Sequence, residues 1–263
     1  MVRQLLLLLR RRLFWFTLLL AIWLFCSGQA RAGELADRLA AFPDWQRPPA
    51  LATAAGDLVY PDWIAGNWTL TSTLTAMVAP LAPDIITPGF EGNRQFLETP
   101  VTCQVRFISV PKRAKGPIPL ITGQRQIVAD RAFNGLNLAR AYLGDEQVKA
   151  VQVDPRNPNR QATLLREGRQ LESTVSARGT ERPTEREFIT SEISQQVFRG
   201  RTRPYFNQVE TTTAYRYAGK KIQAEQITAI YLSPQDANFL DAPYRPVALY
   251  RYQLELSRRV GNL

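Results

Sequence analysis

The chain has 263 residues, with 33 Lys and Arg against 23 Asp and Glu, two cysteines and no histidine. Without histidine no Ser-His or Cys-His nucleophile can be assembled, and zinc loses its commonest protein ligand. Five of the arginines and no acid lie in residues 1–32, so the remainder carries only about +5, too little for a nucleic-acid footprint.

Those first 32 residues have the three parts of an export signal. Arg3 and Arg10, Arg11 and Arg12 supply a positive start, residues 13–25 (LFWFTLLLAIWLF) an uncharged apolar stretch, and Ala30-Arg31-Ala32 small side chains for cleavage before Gly33. The apolar run is shorter than the ~20 residues that span a bilayer comfortably, which favours a cleaved signal over an anchor. Arg11-Arg12-Leu13-Phe14 matches the core of a twin-arginine signal, but the strongly apolar stretch favours general secretion. Export leaves Cys103 as the single cysteine, with no partner for an intrachain disulfide. The fold has to stand on packing.

Residues 33–65 read as an ordered arm, with a short helix-like piece at 35–42 and then a stretch broken by Pro43, Pro48, Pro49 and Pro61. Its apolar residues, among them Trp45, Leu51, Leu58 and Trp63, are too many for a disordered linker. From Gly66 to residue 258 a single domain is expected. Trp68, Leu70, Ser72 and Leu74 alternate with threonines, a period of two that fits a pleated strand, and Val101, Cys103, Val105 and Phe107 repeat it. Residues 127–143 show three- and four-residue spacing and stop at Gly144, which predicts one helix, with Gly135 marking a close approach of another backbone. Strands follow at 148–153, 161–165, 170–177, 185–198, 206–217, 222–232 and 247–256, with turn signals at 154–159, 166–169 and 218–220. About eight or nine strands joined by short turns favour an antiparallel up-and-down barrel with one inserted helix, a β-sandwich being the alternative.

Gly66-Asn67-Trp68 at the head of the first strand resembles the G-x-W signature of the lipocalin-like (calycin) barrels. That resemblance implies a Trp68 plug at a closed end beneath an arginine from late in the chain. Arg251 is the candidate, with Arg245 and Arg258 as alternates, and a cation–π contact of ~1 kcal/mol would join them. A barrel of this size has room for a small apolar ligand, with Tyr215, Tyr217, Tyr231, Tyr250 and Tyr252 as candidate lining. Filling of the core by these tyrosines is the competing expectation. Arg199, Arg201 and Arg203 form a positive loop suited to lipid headgroups or an acidic partner. Glu185, Glu187 and Glu192 are the only carboxylates singled out for glycosidase-like chemistry, but alternating arginines make solvated ion pairs their default. With no G-x-S-x-G, G-x-G-x-x-G or P-loop pattern, an enzyme is not expected. No cofactor or metal is expected either.

Four runs carry a wider resemblance: residues 60–68 (YPDWIAGNW), 88–94 (PGFEGNR), 129–135 (ADRAFNG) and 154–160 (DPRNPNR). With these the chain, from 42 to 258, resembles a family of uncharacterised proteins in cyanobacteria and plastids. The resemblance implies a thylakoid-lumen or periplasmic setting and carries over no catalytic residue. The expectation is an exported, non-enzymatic protein that binds an apolar molecule such as a pigment or lipid, or assists a photosynthetic membrane complex. A solid docking module on a membrane complex is the first alternative and a carboxylate hydrolase the second.

Overall fold

The computed structural model describes residues 33–113, 121–200 and 203–258; the expected export signal lies outside them. Among the described residues two α-helices, α1 (Glu34–Ala40) and α2 (Arg131–Leu143), accompany eleven strands. In chain order these are β1 (Ala52–Thr53), β2 (Gly66–Val78), β3 (Pro100–Arg113), β4 (Ile121–Ala129), β5 (Val148–Asp154) and β6 (Asn157–Leu165), then β7 (Gln170–Glu181), β8 (Glu187–Arg199), β9 (Tyr205–Ala218), β10 (Lys221–Leu232) and β11 (Pro246–Arg258).

Ten of them lie on one antiparallel path, β4-β3-β2-β11-β10-β9-β8-β7-β6-β5, and β1 pairs with β7. The protein is mainly β, a curled half-barrel made of a single sheet, so the sandwich is excluded and the expected eight or nine strands fall short. Every strand pairs with its neighbour in sequence from β2 to β4 and from β5 to β11, and β11 returns to pair with β2. The sheet is open between β4 and β5, where the chain runs through α2 instead. That helix packs on β3 on one side of the gap and on β5 and β6 on the other.

Irregularities in the ladders help the curl. Register shifts occur between Arg251 and Tyr252 against β2, between Val175 and Ala177 against β8, and between Ile230 and Tyr231 against β11; each extra residue bends its strand and sharpens the twist. Gly66 opens β2 at φ 121°, a conformation that disfavours any side chain.

The helix begins later than its periodicity suggests. Ile127 and Val128 belong to the end of β4, pairing with Ser109 and Ile108, and the helix is capped by Asp130, whose carboxylate accepts from the Phe133 amide at 3.0 Å. Gly135 does mark a close approach, but of side chains: a Cβ there would lie 2.9 Å from Gln161 Nε2 and 3.1 Å from Val151 Cγ1.

Residues 34–64 lie against the sheet. Leu39, Phe42 and Trp45 pack on Ile227, Ala229, Tyr231 and Leu249 on its outer face, and the Tyr60 amide donates to the Ile127 carbonyl at 2.9 Å. An apolar cluster of Ile64, Trp68, Val105, Phe107, Ile222 and Leu256 fills one end of the half-barrel.

Candidate functional site in the curled sheet

Strand alternation assigns each side chain to the concave or the convex face. On β8 the concave positions are Phe188, Thr190, Glu192, Ser194, Gln196 and Phe198; the pairing registers place Thr211, Thr213 and Tyr215 of β9, Gln226, Thr228 and Ile230 of β10, and Tyr250 and Tyr252 of β11 on the same face.

The end where β2 begins is closed. Trp68 is fully buried and its Nε1 donates to the Ile64 carbonyl at 2.8 Å. The guanidinium above it is that of Arg258, 5.0 Å from the ring centroid. This corrects the expected partner: Arg251 stands on the convex face, bonded to Glu225 at 2.7 Å and 5.5 Å from the Phe42 ring. Tyr60 extends the plug, packed against Phe107, Phe188 and Tyr215 at centroid distances of 4.8, 5.6 and 6.1 Å. Burial keeps its hydroxyl protonated well above the usual phenol range and pushes Tyr215 up to about 12.

Above the plug lies a charged layer. Glu192 Oε1 accepts from Arg178 Nε at 2.7 Å and from an Arg131 terminal nitrogen at 3.0 Å. Arg178 also donates to the Gly56 carbonyl at 3.1 Å and to Asn159 Oδ1 at 2.7 Å. Asp57 stands 3.8 Å from Arg131. One constellation thus ties α2, β6, β7, β8 and the segment before β2. Burial raises the Asp57 carboxyl above its ordinary value, outweighing the attraction of Arg131 and Arg178. Burial works against the Arg131 charge, yet Glu192, Tyr60 and Asp57 together hold its guanidinium above the usual range.

Beyond this layer the concave face opens. Arg131, Leu138 and Tyr142 share one face of α2, spaced seven and four residues apart. The first reaches Glu192 and the last lies 3.1 Å from Ser72, both on the concave side of the sheet. Leu138, between them, is nonetheless 40% exposed, and Phe198 at the concave end of β8 is 39% exposed. Glu192, Ser194, Thr211, Gln226, Thr228 and Ile230 are half-buried. The convex neighbours Glu210, Thr212, Ile227, Ala229 and Leu249 have no exposure at all. Around Glu192, Thr211 and Thr228 the usual pattern is therefore inverted, the outside dry beneath the arm and the inside reachable by solvent, while Val209 and Asn207 farther along the concave face of β9 are buried.

The dryness outside has its own polar device. Glu210, fully buried, accepts a forked pair of bonds from Arg38 of α1 at 3.0 and 2.8 Å, one from Tyr231 at 2.8 Å and one from Thr212 at 3.2 Å. Arg38 also lies 4.0 Å from the Trp45 ring. Burial, with Glu210 beside it, drives the Tyr231 hydroxyl well above the usual range.

The five candidate tyrosines are thus divided. Tyr215 and Tyr217 belong to the plug, the latter stacked on Trp63 at 5.7 Å. Tyr250 and Tyr252 face the upper half, where Tyr250 accepts from Asn93 at 3.1 Å. Tyr231 is on the convex face and lines nothing. Arg199 is bonded to Glu172 at 3.1 Å and Arg203 is exposed in the β8–β9 loop, while Arg201 lies outside the described residues. Glu185 sits in the turn before β8 and Glu187 opens the strand, accepting from Thr184 at 3.1 Å; neither joins Glu192. Sequence reasoning missed Arg131, Arg178, Asp57 and Asn159, which lie far apart in the chain and meet only through the sheet.

A second concavity, of about 970 Å³, lies outside the closed end between Val59–Trp63, Gln124–Ile127 and Arg182–Glu187. Its lining mixes acids and bases, among them Asp62, Glu185, Arg125 and Arg182. Among the described residues no group of three or more Cys, Asp or Glu is placed to hold a metal, and no helix is long and apolar enough to cross a membrane.

Fold and site together define a plugged, antiparallel half-barrel with a charged floor and an accessible concave wall. Residues 52–260 match the family described as Domain of unknown function (DUF6816), and the chain belongs to that family. No curated protein and no solved structure matches it.

Proposed function

We propose that the protein is a small-molecule binder whose ligand lies in the curled sheet beneath α2. The observation that carries this reading is the inverted burial around Glu192, Thr211 and Thr228. With the convex face dry, Phe198 exposed and Ile230 half-buried on the concave face and Leu138 of α2 exposed beside it, an apolar wall remains that an occupant would cover. The Trp68 plug beneath Arg258 and the Gly66 entry support a lipocalin-like organisation, with one closed and one open end. α2 serves as a side wall in place of a β4–β5 pairing. The bound molecule would contact Leu138, Ile230, Tyr252 and Phe198. Carboxylate hydrolysis finds less support: Glu192 is held by two arginines, and its nearest acidic neighbour, Asp57, sits across them.

Export is proposed on the strength of the leader, and it fits the position of α1, which starts at Glu34 just past the expected cleavage point. Amino-terminal sequencing of protein from the source cells should begin at Gly33; an intact Met1 would reject it.

An environment-sensitive apolar fluorophore tests the binding reading. It should bind the native protein with enhanced emission, and Thr228→Trp, which fills the concave wall, should weaken binding at least about tenfold. Val59→Trp, in the outer groove, should leave it unchanged. Binding that survives Thr228→Trp and fails with Val59→Trp would move the site to the groove.

A further inference from the structure

We infer that the ligand is an amphiphile with a neutral, hydroxyl-bearing head, held head-down on Glu192, Thr211, Thr228 and Gln226, with its tail directed past Leu138 towards Phe198. The inference rests on the binding reading above and assigns the chemical class of the occupant.

The concave wall is graded along β8. Phe188 and Thr190 are buried in the plug, Glu192 is the first accessible position, Ser194 and Gln196 follow, and Phe198 is exposed at the open end. Level with Glu192 across the sheet stand Thr211 and then Thr228, by direct pairing of β8 with β9 and β9 with β10. Gln226 lies next to Thr228 on the same face, its Oε1 accepting from Thr213 at 3.2 Å. Carboxylate, two hydroxyls and an amide therefore form one accessible polar shelf, directly above the plug. The apolar groups, Leu138, Ile230 and Phe198, lie beside it or farther out. Such a shelf meets a polar head; such an exit meets a hydrocarbon tail.

The charges choose the head. Both arginine bonds fall on Glu192 Oε1, and Glu192 Oε2 receives no hydrogen bond among the described residues. A carboxylate oxygen only accepts, so it calls for an O–H or N–H donor. A carboxylate or phosphate head would meet the Glu192 carboxylate on the shelf, and Arg178 is already committed to Glu192, Gly56 and Asn159. An ammonium head would meet Arg131 and Arg178. Two arginines against two carboxylates leave the floor without net charge, and a neutral polyol satisfies it: hydroxyls donate to Glu192 Oε2 and exchange hydrogen bonds with Thr211, Thr228 and Gln226.

The test compares four twelve-carbon probes, each below its micellar concentration, by calorimetry on the full chain lacking residues 1–32. They are monolauroylglycerol, methyl laurate, laurate and dodecyltrimethylammonium. Monolauroylglycerol should bind at least about tenfold more tightly than the other three. Thr211→Val and Thr228→Val, which keep side-chain shape and remove one hydroxyl each, should each cost it about fivefold, the worth of one neutral hydrogen bond. The same variants should leave methyl laurate unchanged, and near-ultraviolet dichroism should show native packing throughout. Equal affinity for monolauroylglycerol and methyl laurate, or tighter binding of laurate or of the ammonium probe, overturns the head-group assignment and leaves the binding reading standing. Binding of none of the four by natively packed protein overturns both.

Discussion

Trp68 is the residue on which the closed end depends. It is fully buried, its indole N–H is bonded, and Arg258 covers one face. Trp68→Ala is expected to cost about 3–5 kcal/mol in denaturant unfolding, whereas Arg258→Ala should cost about 1 kcal/mol or less, since the cation–π contact is partly solvated. Arg251→Ala should leave the plug untouched. Asp57 makes a prediction of the opposite sign. Burial lifts its carboxyl above 3.8 despite two nearby arginines, so the folded state holds the proton more tightly than the unfolded chain. The contribution of Asp57 to stability is then fully present below about 3.8 and is lost as pH rises through the folded value. Asp57→Asn should accordingly raise the thermal midpoint at pH 7 and make little difference in acid; an equal effect at both pH values would contradict this. Arg258 is within reach of the sequence as an alternate; what the sequence does not carry is the register of β11 on β2, two strands joined by no turn, which sets Arg258 and not Arg251 opposite Trp68.

The elements differ in how plainly the sequence announced them. Strand alternation, the 166–169 hairpin and the Gly144 stop were visible because each is a local rule. β4 was hidden because Ile127 and Val128 fit a helical period as well as a strand, although Asp130, a favoured N-cap residue, was a usable signal for the helix start. The outward turn of Tyr231 was also recoverable. A two-residue Gly219-Lys220 turn forces Ala218 opposite Lys221, and that register puts Tyr231 on the face opposite Tyr215. The site itself was not recoverable. Arg131, Arg178 and Glu192 lie on three elements, and nothing short of the sheet's pairing brings them together. The arm makes a sharper prediction at this scale. Arg38 is the one cation among the side chains bonded to Glu210, which is wholly buried, so Arg38→Met should destabilise by about 3–5 kcal/mol by leaving that charge unpaired. Arg38→Met combined with Glu210→Gln should recover much of the loss. A double variant as unstable as the single would show that packing of the arm, and not the charge, dominates.

At the scale of the whole molecule, several phenols sit where ionisation is costly. Tyr215 is held at about 12 by burial, and Tyr60, Tyr231 and Tyr252 are raised for the same first reason. Protonated tyrosine is thus favoured by the fold, and the stabilisation present below pH 10 is lost as pH climbs towards 12. Ultraviolet titration should show these four tyrosines ionising only together with unfolding. The order of the sheet has a last consequence, in time rather than in energy. β2 finds one of its two partners at once, in β3, but the other is β11, the final strand. A chain emerging amino-terminus first therefore keeps Trp68 without Leu256 or Arg258 until β11 is free. The half-barrel cannot close before β11 has emerged, whatever its early hairpins do. Such a topology makes folding slow to commit, and it makes the nascent chain one that can still be threaded, strand by strand, through a narrow opening.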